Sequence, residues 1–130
     1  MIVGIYAASL AFLLLILSIR VIGLRGNPVF KWFAFAPNGR EGLQRAIRGH
    51  GNLTEYAPLF LILLLIAELN GMDAASLHAY GLSFLLGRVM HGVCFGFLTR
   101  SLPLRIGGTA LTLFPLLGLA VILGLDALSR

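Results

Sequence analysis

Cysteine occurs once in this chain, at Cys94, so no intrachain disulfide can form and cysteine pairing says nothing about redox compartment. The three histidines, His50, His78 and His91, stand far apart and lack partner cysteines, so no metal-ligand cluster is predicted. Glycine-rich phosphate loops of the known spacings are absent, which removes the usual nucleotide cradles. Charge is scarce as well: charged residues make up 12% of the chain and hydrophobic residues 58%, outside the range of ordinary soluble domains. The net charge of +5 is not a nucleic-acid signature. Its basic residues gather in two connections and at helix ends, where membrane orientation and surface contacts account for them.

What is present is a set of long apolar stretches. With about 20 residues needed per span, spans at about 2–24, 43–69, 74–98 and 106–125 use most of the 130 residues. The reading is one domain over residues 1–130, all-α, a polytopic membrane protein built as an antiparallel four-helix transmembrane bundle with short links. No soluble catalytic domain is left over, so any active site lies inside the bundle or at its edge. The first stretch lacks a basic n-region and a short apolar core, and reads as a retained helix rather than a signal peptide. Pro58 and Pro115 fall inside the second and fourth spans, where kinks are tolerated. Asn70-Gly71 marks a tight turn. The glycines of the third and fourth spans, Gly87 and Gly108 among them, suit close helix packing.

Basic residues set the orientation. Arg25, Lys31, Arg40, Arg45 and Arg48 flank the first connection, Arg100 and Arg105 the third, and the second holds only Asp73. The first and third connections are therefore expected on the cytoplasmic side, with both termini non-cytoplasmic. In the first connection Phe30, Trp32, Phe33 and Phe35 surround Lys31, a composition suited to the headgroup level of a bilayer or to an entry route for a lipophilic substrate. Glu68 and His78 are expected to pair near the outer helix ends, and Asp126 and Arg130 to anchor the tail at the interface.

The stretch Arg45 to Pro58, RAIRGHGNLTEYAP, opens the second span yet carries Arg45, Arg48, His50, Asn52 and Glu55. An ionised side chain costs roughly 2.5–3.5 kcal/mol at the bilayer centre on insertion scales, so these groups must face protein or a water-filled cavity. Steps of three, four and three place Arg45, Arg48, Asn52 and Glu55 on one stripe. On the third span Arg88, His91 and Phe95 form a second stripe. For antiparallel helices at 1.5 Å per residue, Glu55 and Arg88 both lie about 15 Å deep, Asn52 is level with His91, and Arg48 with Phe95. One reading is a buried Glu55–Arg88 ion pair that fixes register. The other is an anion site, since arginines outnumber Glu55 on this half and guanidinium forks suit carboxylates.

These residues form a pattern. R-x-x-R-x-H-x-N-x-x-E enters the second span, G-R-x-x-H lies in the third, and P-x-R precedes the fourth. In motif order, length and span number the chain resembles the MAPEG family, the membrane-associated proteins in eicosanoid and glutathione metabolism, which includes microsomal glutathione transferases. The resemblance implies a homotrimer in a lipid bilayer that binds glutathione between subunits on the cytoplasmic half, in a bacterial inner membrane or an internal eukaryotic one. It implies glutathione contacts from Arg48, Asn52, Glu55, Arg88 and His91, with Arg105 stabilising the thiolate and Arg25, Arg45 and Phe95 as accessories. The implied function is a glutathione-dependent transferase or peroxidase acting on lipophilic electrophiles or lipid hydroperoxides, with glutathione as co-substrate and no metal. Phe95 stands where several members have a tyrosine. The alternative is a non-catalytic membrane module that binds a small anion or lipid, or scaffolds a partner.

Overall fold

In hydrocarbon a helix satisfies its own backbone donors and acceptors, which is why apolar runs of this length fold as helices. The computed structural model of the protein describes residues 1–129. It comprises α1 (Ile2–Leu24), a 3-10 turn (Lys31–Phe33), α2 (Gly39–Leu69), α3 (Ala74–Gly96) and α4 (Leu102–Ser129), and no strand among the described residues. The chain is thus the all-α bundle expected. Arg130, expected beside Asp126 as an anchor, lies outside the described residues.

By length and composition α1, α2 and α4 can each cross a membrane, and α3 is not among them. The reason is that α3 carries His78, Arg88 and His91 among its apolar residues. Its place in the bundle compensates: α3 packs against α1, α2 and α4, whereas α1 and α4 make no contact among the described residues. The two least apolar helices, α2 and α3, are therefore the ones that each pack against all three others.

Neighbours along the chain run antiparallel. The Glu68 carboxylate accepts from the backbone N–H groups of Ile2 and Val3 at 2.5 and 2.9 Å, and Ser18 Oγ lies 3.0 Å from His50 Nε2. The rings of Phe60 and Phe84 stack with centroids 3.8 Å apart between α2 and α3. Between α3 and α4, a Cβ added to Gly87 or to Gly108 would stand 2.9 Å from the other's carbonyl oxygen, so the two backbones touch only because both lack one.

The structure departs from the expectations in several places. Glu68 and His78 do not pair: Glu68 caps the N-terminus of α1, where a carboxylate meets free N–H groups and the positive end of the helix. His78 Nδ1 instead lies 2.8 Å from the Tyr6 hydroxyl. Helix α4 begins at Leu102 rather than near 106, so Pro103 and Arg105 belong to its first turn. A proline there sacrifices no helical hydrogen bond. Helix α2 begins at Gly39 and α3 ends at Gly96. In the α2–α3 turn, Asp73 accepts from the hydroxyl and backbone N–H of Ser76 at 2.6 and 2.9 Å. These bonds, the hydroxyl's first, hold its carboxyl below the ordinary aspartate range. The cap is therefore in place above the unfolded aspartate value and lost as pH falls through the depressed one.

At the opposite end, two arginines close the C-terminus of α3. Arg45 donates from Nη2 to Cys94 O at 2.9 Å and from Nε to Leu98 O at 3.2 Å. Arg20 donates to Gly96 O at 2.8 Å. Cations on the last carbonyls of a helix satisfy its orphan acceptors and its negative end. The basic ends of α1 and α2 are thus drawn together at the end of α3.

Candidate anion site between the second, third and fourth helices

Arg88 is the centre of the polar interior. It is buried on α3, donates from Nε to Thr112 Oγ1 of α4 at 2.9 Å and from Nη1 to Asn52 Oδ1 of α2 at 2.5 Å. Its guanidinium carbon stands 5.5 Å from the Tyr56 ring centroid and 6.0 Å from that of Phe84. Thr112 can hold the arginine because its own hydroxyl proton goes to Gly108 O at 2.7 Å, leaving a lone pair for Nε. One guanidinium therefore joins three helices through neutral oxygens. Thr112→Val keeps the shape and removes the acceptor. It is expected to lower stability by about 1–3 kcal/mol, read as earlier thermal unfolding in detergent, with Thr112→Ser near wild type.

Arg88, His91, Asn52, Tyr56, Thr109, Thr112 and Leu113 enclose a cleft of about 50 Å³. His91 is buried and stacks on Phe95, with centroids 4.5 Å apart. The guanidinium of Arg45 lies 5.0 Å from the other ring of that stack, Phe95. Thr109 and Leu113 also line a much larger groove of about 900 Å³ on the flank of the bundle, formed by Leu59 and Leu63 of α2 and by Arg105, Ile106, Ala110, Phe114 and Leu117 of α4. Arg105 has a second neighbourhood, a small basic recess with Arg45, Cys94, Phe95, Arg100 and Ser101. It is the residue common to the apolar groove and the basic recess, and Thr109, one turn along, joins that groove to the Arg88 cleft.

Of the residues singled out from sequence, Asn52, Arg88 and His91 come together in the cleft, and Arg105 lines the adjoining groove and recess instead. Arg48 and Glu55 are exposed. They share the outward side of α2 with Leu59, which lines the groove. The Glu55–Arg88 ion pair does not form among the described residues; Asn52 and Thr112 take its place. Depth is not the cause, since Gly49 meets Phe95 and Phe60 meets Phe84, within about one residue of the expected register. Rotation is. At about 100° per residue, steps of three, four and three drift by about 80° from Arg45 to Glu55, so half of the stripe leaves the α3-facing side. The inward line is Arg45, Gly49, Asn52, Tyr56 and Phe60. Phe95 accordingly meets Gly49 and Arg45 rather than Arg48. Arg45 is committed to α3 carbonyls, Arg25 is exposed just beyond α1, and His50 turns to Ser18 of α1.

Two residues escaped the sequence reading. Tyr56 could have been found, lying four positions after Asn52 on the same helical line. Arg20 could have been found as a lone charge one turn inside an apolar helix; it is fully buried and its partners come from distant segments.

The chain is similar to the "Inner membrane protein YecN" of Escherichia coli strain K12, with 37% identity over 112 residues covering 86% of this chain and 82% of the relative. The protein of the same name from Escherichia coli O6:H1 (strain CFT073) matches to the same extent. No solved structure matches. The pattern that characterises the MAPEG family matches residues 3–125. With nearly the whole chain covered and the apolar helices in place, this helical membrane protein belongs to the MAPEG family.

Proposed function

We propose that the protein is a membrane-bound, glutathione-dependent transferase or peroxidase acting on lipophilic electrophiles or lipid hydroperoxides. The observation that carries this reading is the position of Arg105, which borders both a basic recess and an apolar groove of about 900 Å³. A thiolate held by its guanidinium would sit where a bilayer-soluble electrophile arrives. The thiol of glutathione is weakly ionised near neutral pH, with a free value of about 8.5, and an adjacent cation lowers it. The thiolate sulfur then attacks an electrophilic carbon, forming a C–S bond as the leaving group departs, or attacks a hydroperoxide oxygen, forming an S–O bond as the O–O bond breaks and the protonated alcohol leaves; a second glutathione converts the resulting sulfenic acid to the disulfide and water.

The Arg88 cleft, at about 50 Å³, admits at most one end of a tripeptide. The rest of the ligand would lie on the outward side of α2, where Arg48 and Glu55 offer a cation for a carboxylate and a carboxylate for an ammonium. That side needs a cover to exclude water, and a second copy of the chain is the cover consistent with the family's trimers. Asn52, Arg88 and His91 form the floor of this site. Among its residues, Phe95 supplies an aromatic face and no phenol, while Tyr56 brings a phenol to the same cleft from α2.

The experiment is calorimetry on protein purified in detergent. Glutathione is expected to bind at millimolar concentration or below, and Arg48→Ala to weaken that binding by about tenfold or more, as the loss of a charge-assisted bond implies. Wild-type protein that takes up no glutathione at millimolar concentration would sink the reading and leave a non-catalytic membrane module in its place.

A further inference from the structure

The buried charge that the site does not use is Arg20. Among the described residues it is the largest fully buried side chain, and it is satisfied by carbonyls alone: Nε donates to Gly96 O at 2.8 Å, Nη1 to Phe33 O at 2.5 Å and Nη2 to Pro37 O at 2.9 Å. Its guanidinium carbon lies 4.6 Å from the Phe35 ring centroid and 5.2 Å from that of Phe97. Two of those carbonyls belong to the connection between α1 and α2. Close packing holds the same connection at both ends. A Cβ on Gly23 would stand 2.5 Å from Phe30 O, and one on Gly42 would stand 2.5 Å from Pro37 O. Rings of Phe33, Phe35 and Phe97 pack edge-on or stacked beneath it.

So firmly held a segment ought to bury its apolar side chains, and this one does the reverse. Val29 is 68% exposed, Trp32 70% and Phe35 49%, and all three stand outside the membrane-spanning helices. Arg25, Lys31 and Arg40 are exposed around them, and Glu41 is the one carboxylate between residues 20 and 50. Exposed apolar side chains ringed by cations match the boundary between acyl chains and anionic headgroups, where amphipathic aromatics and basic side chains both find partners.

We propose that this connection is a preformed membrane-surface anchor, which seats Val29, Trp32 and Phe35 at the apolar edge of the bilayer and sets Arg25, Lys31 and Arg40 against the phosphates of acidic lipids. Arg20 is the internal tie that presents it. An adaptable segment would have to be ordered on contact, at a cost in conformational entropy for every residue fixed. Here the loop is ordered beforehand, by bonds that do not involve lipid.

Trp32 is the sole tryptophan, so the emission of the intact protein reports on this segment alone. The test places the full chain in vesicles of phosphatidylcholine, with and without phosphatidylglycerol, containing lipids brominated either near the headgroup or deep in the acyl chain. The expected result is blue-shifted emission, stronger quenching by the shallow bromines than by the deep ones, and protection from aqueous acrylamide that increases with phosphatidylglycerol. Lys31→Glu, a change on the exposed rim, should shift the seated-to-exposed balance of the loop about fivefold toward exposed in acidic vesicles, the effect of losing one basic contact. Quenching by acrylamide but not by bromolipid would place the loop in water and overturn the proposal. Protection from both quenchers would show a protein partner covering it, and would overturn it equally.

Discussion

Arg105→Ala is expected to lower glutathione-dependent turnover by about 10²–10³-fold, the usual loss when one preorganised electrostatic donor is taken from a reacting anion. Folding should be little changed, because Arg105 is exposed in the first turn of α4 and its backbone N–H bonds Ser101 O whichever side chain it bears. The pH profile separates a thiolate-stabilising role from a binding role. If the guanidinium holds the thiol of bound glutathione below its free value of about 8.5, the wild type has its thiolate at neutral pH and gains little on going alkaline. The variant's thiol returns toward the free value, so its rate should rise as pH increases through that range. Absorbance of bound thiolate near neutral pH should fall in parallel. A variant with unchanged turnover and an unchanged profile would remove Arg105 from the chemistry.

The largest structural effect is expected from Arg20→Met. The substitution keeps an apolar stem of similar reach but leaves the carbonyls of Gly96, Phe33 and Pro37 without their donors. Each buried acceptor left unmet costs about 1–3 kcal/mol, and here three lose their donor together. The predicted outcome is a large drop in thermal stability in detergent, with proteolysis beginning in the connection between α1 and α2. Arg25→Met, a change to an exposed arginine five positions later, is the control and should be nearly neutral. Arg20 lies at the site end of the bundle, beside the α3 terminus that Arg45 also closes. Its loss should therefore weaken anion binding indirectly, through the position of α3.

Some of the protein is legible in the amino-acid sequence. Helix number follows from apolar run length, because hydrocarbon permits few other backbones. Register between α2 and α3 follows from rise per residue, and Gly49 opposite Phe95 and Phe60 opposite Phe84 lie within about one residue of it. The cleft members Asn52, Arg88 and His91 were identifiable because costly polar groups in a spanning segment must meet one another.

Helix rotation was not legible. Whether Glu55 or Tyr56 accompanies Asn52 toward α3 depends on a fraction of a turn, and side-chain spacing of three or four residues leaves that choice open. Nor could spacing assign hydrogen-bond partners. Arg45 has the spacing of a ligand residue, yet its acceptors are Cys94 O and Leu98 O, and Arg20 is fully enclosed among carbonyls of distant segments. The amino-acid sequence by itself determined the class, the number of helices, their order and depth, and which residues are too costly to face lipid. The tertiary structure alone decided which arginines are consumed by backbone carbonyls and which stay open to a ligand. The physical reason is that a guanidinium's role depends on the acceptors within its reach, and those belong to helices and loops far away in the chain.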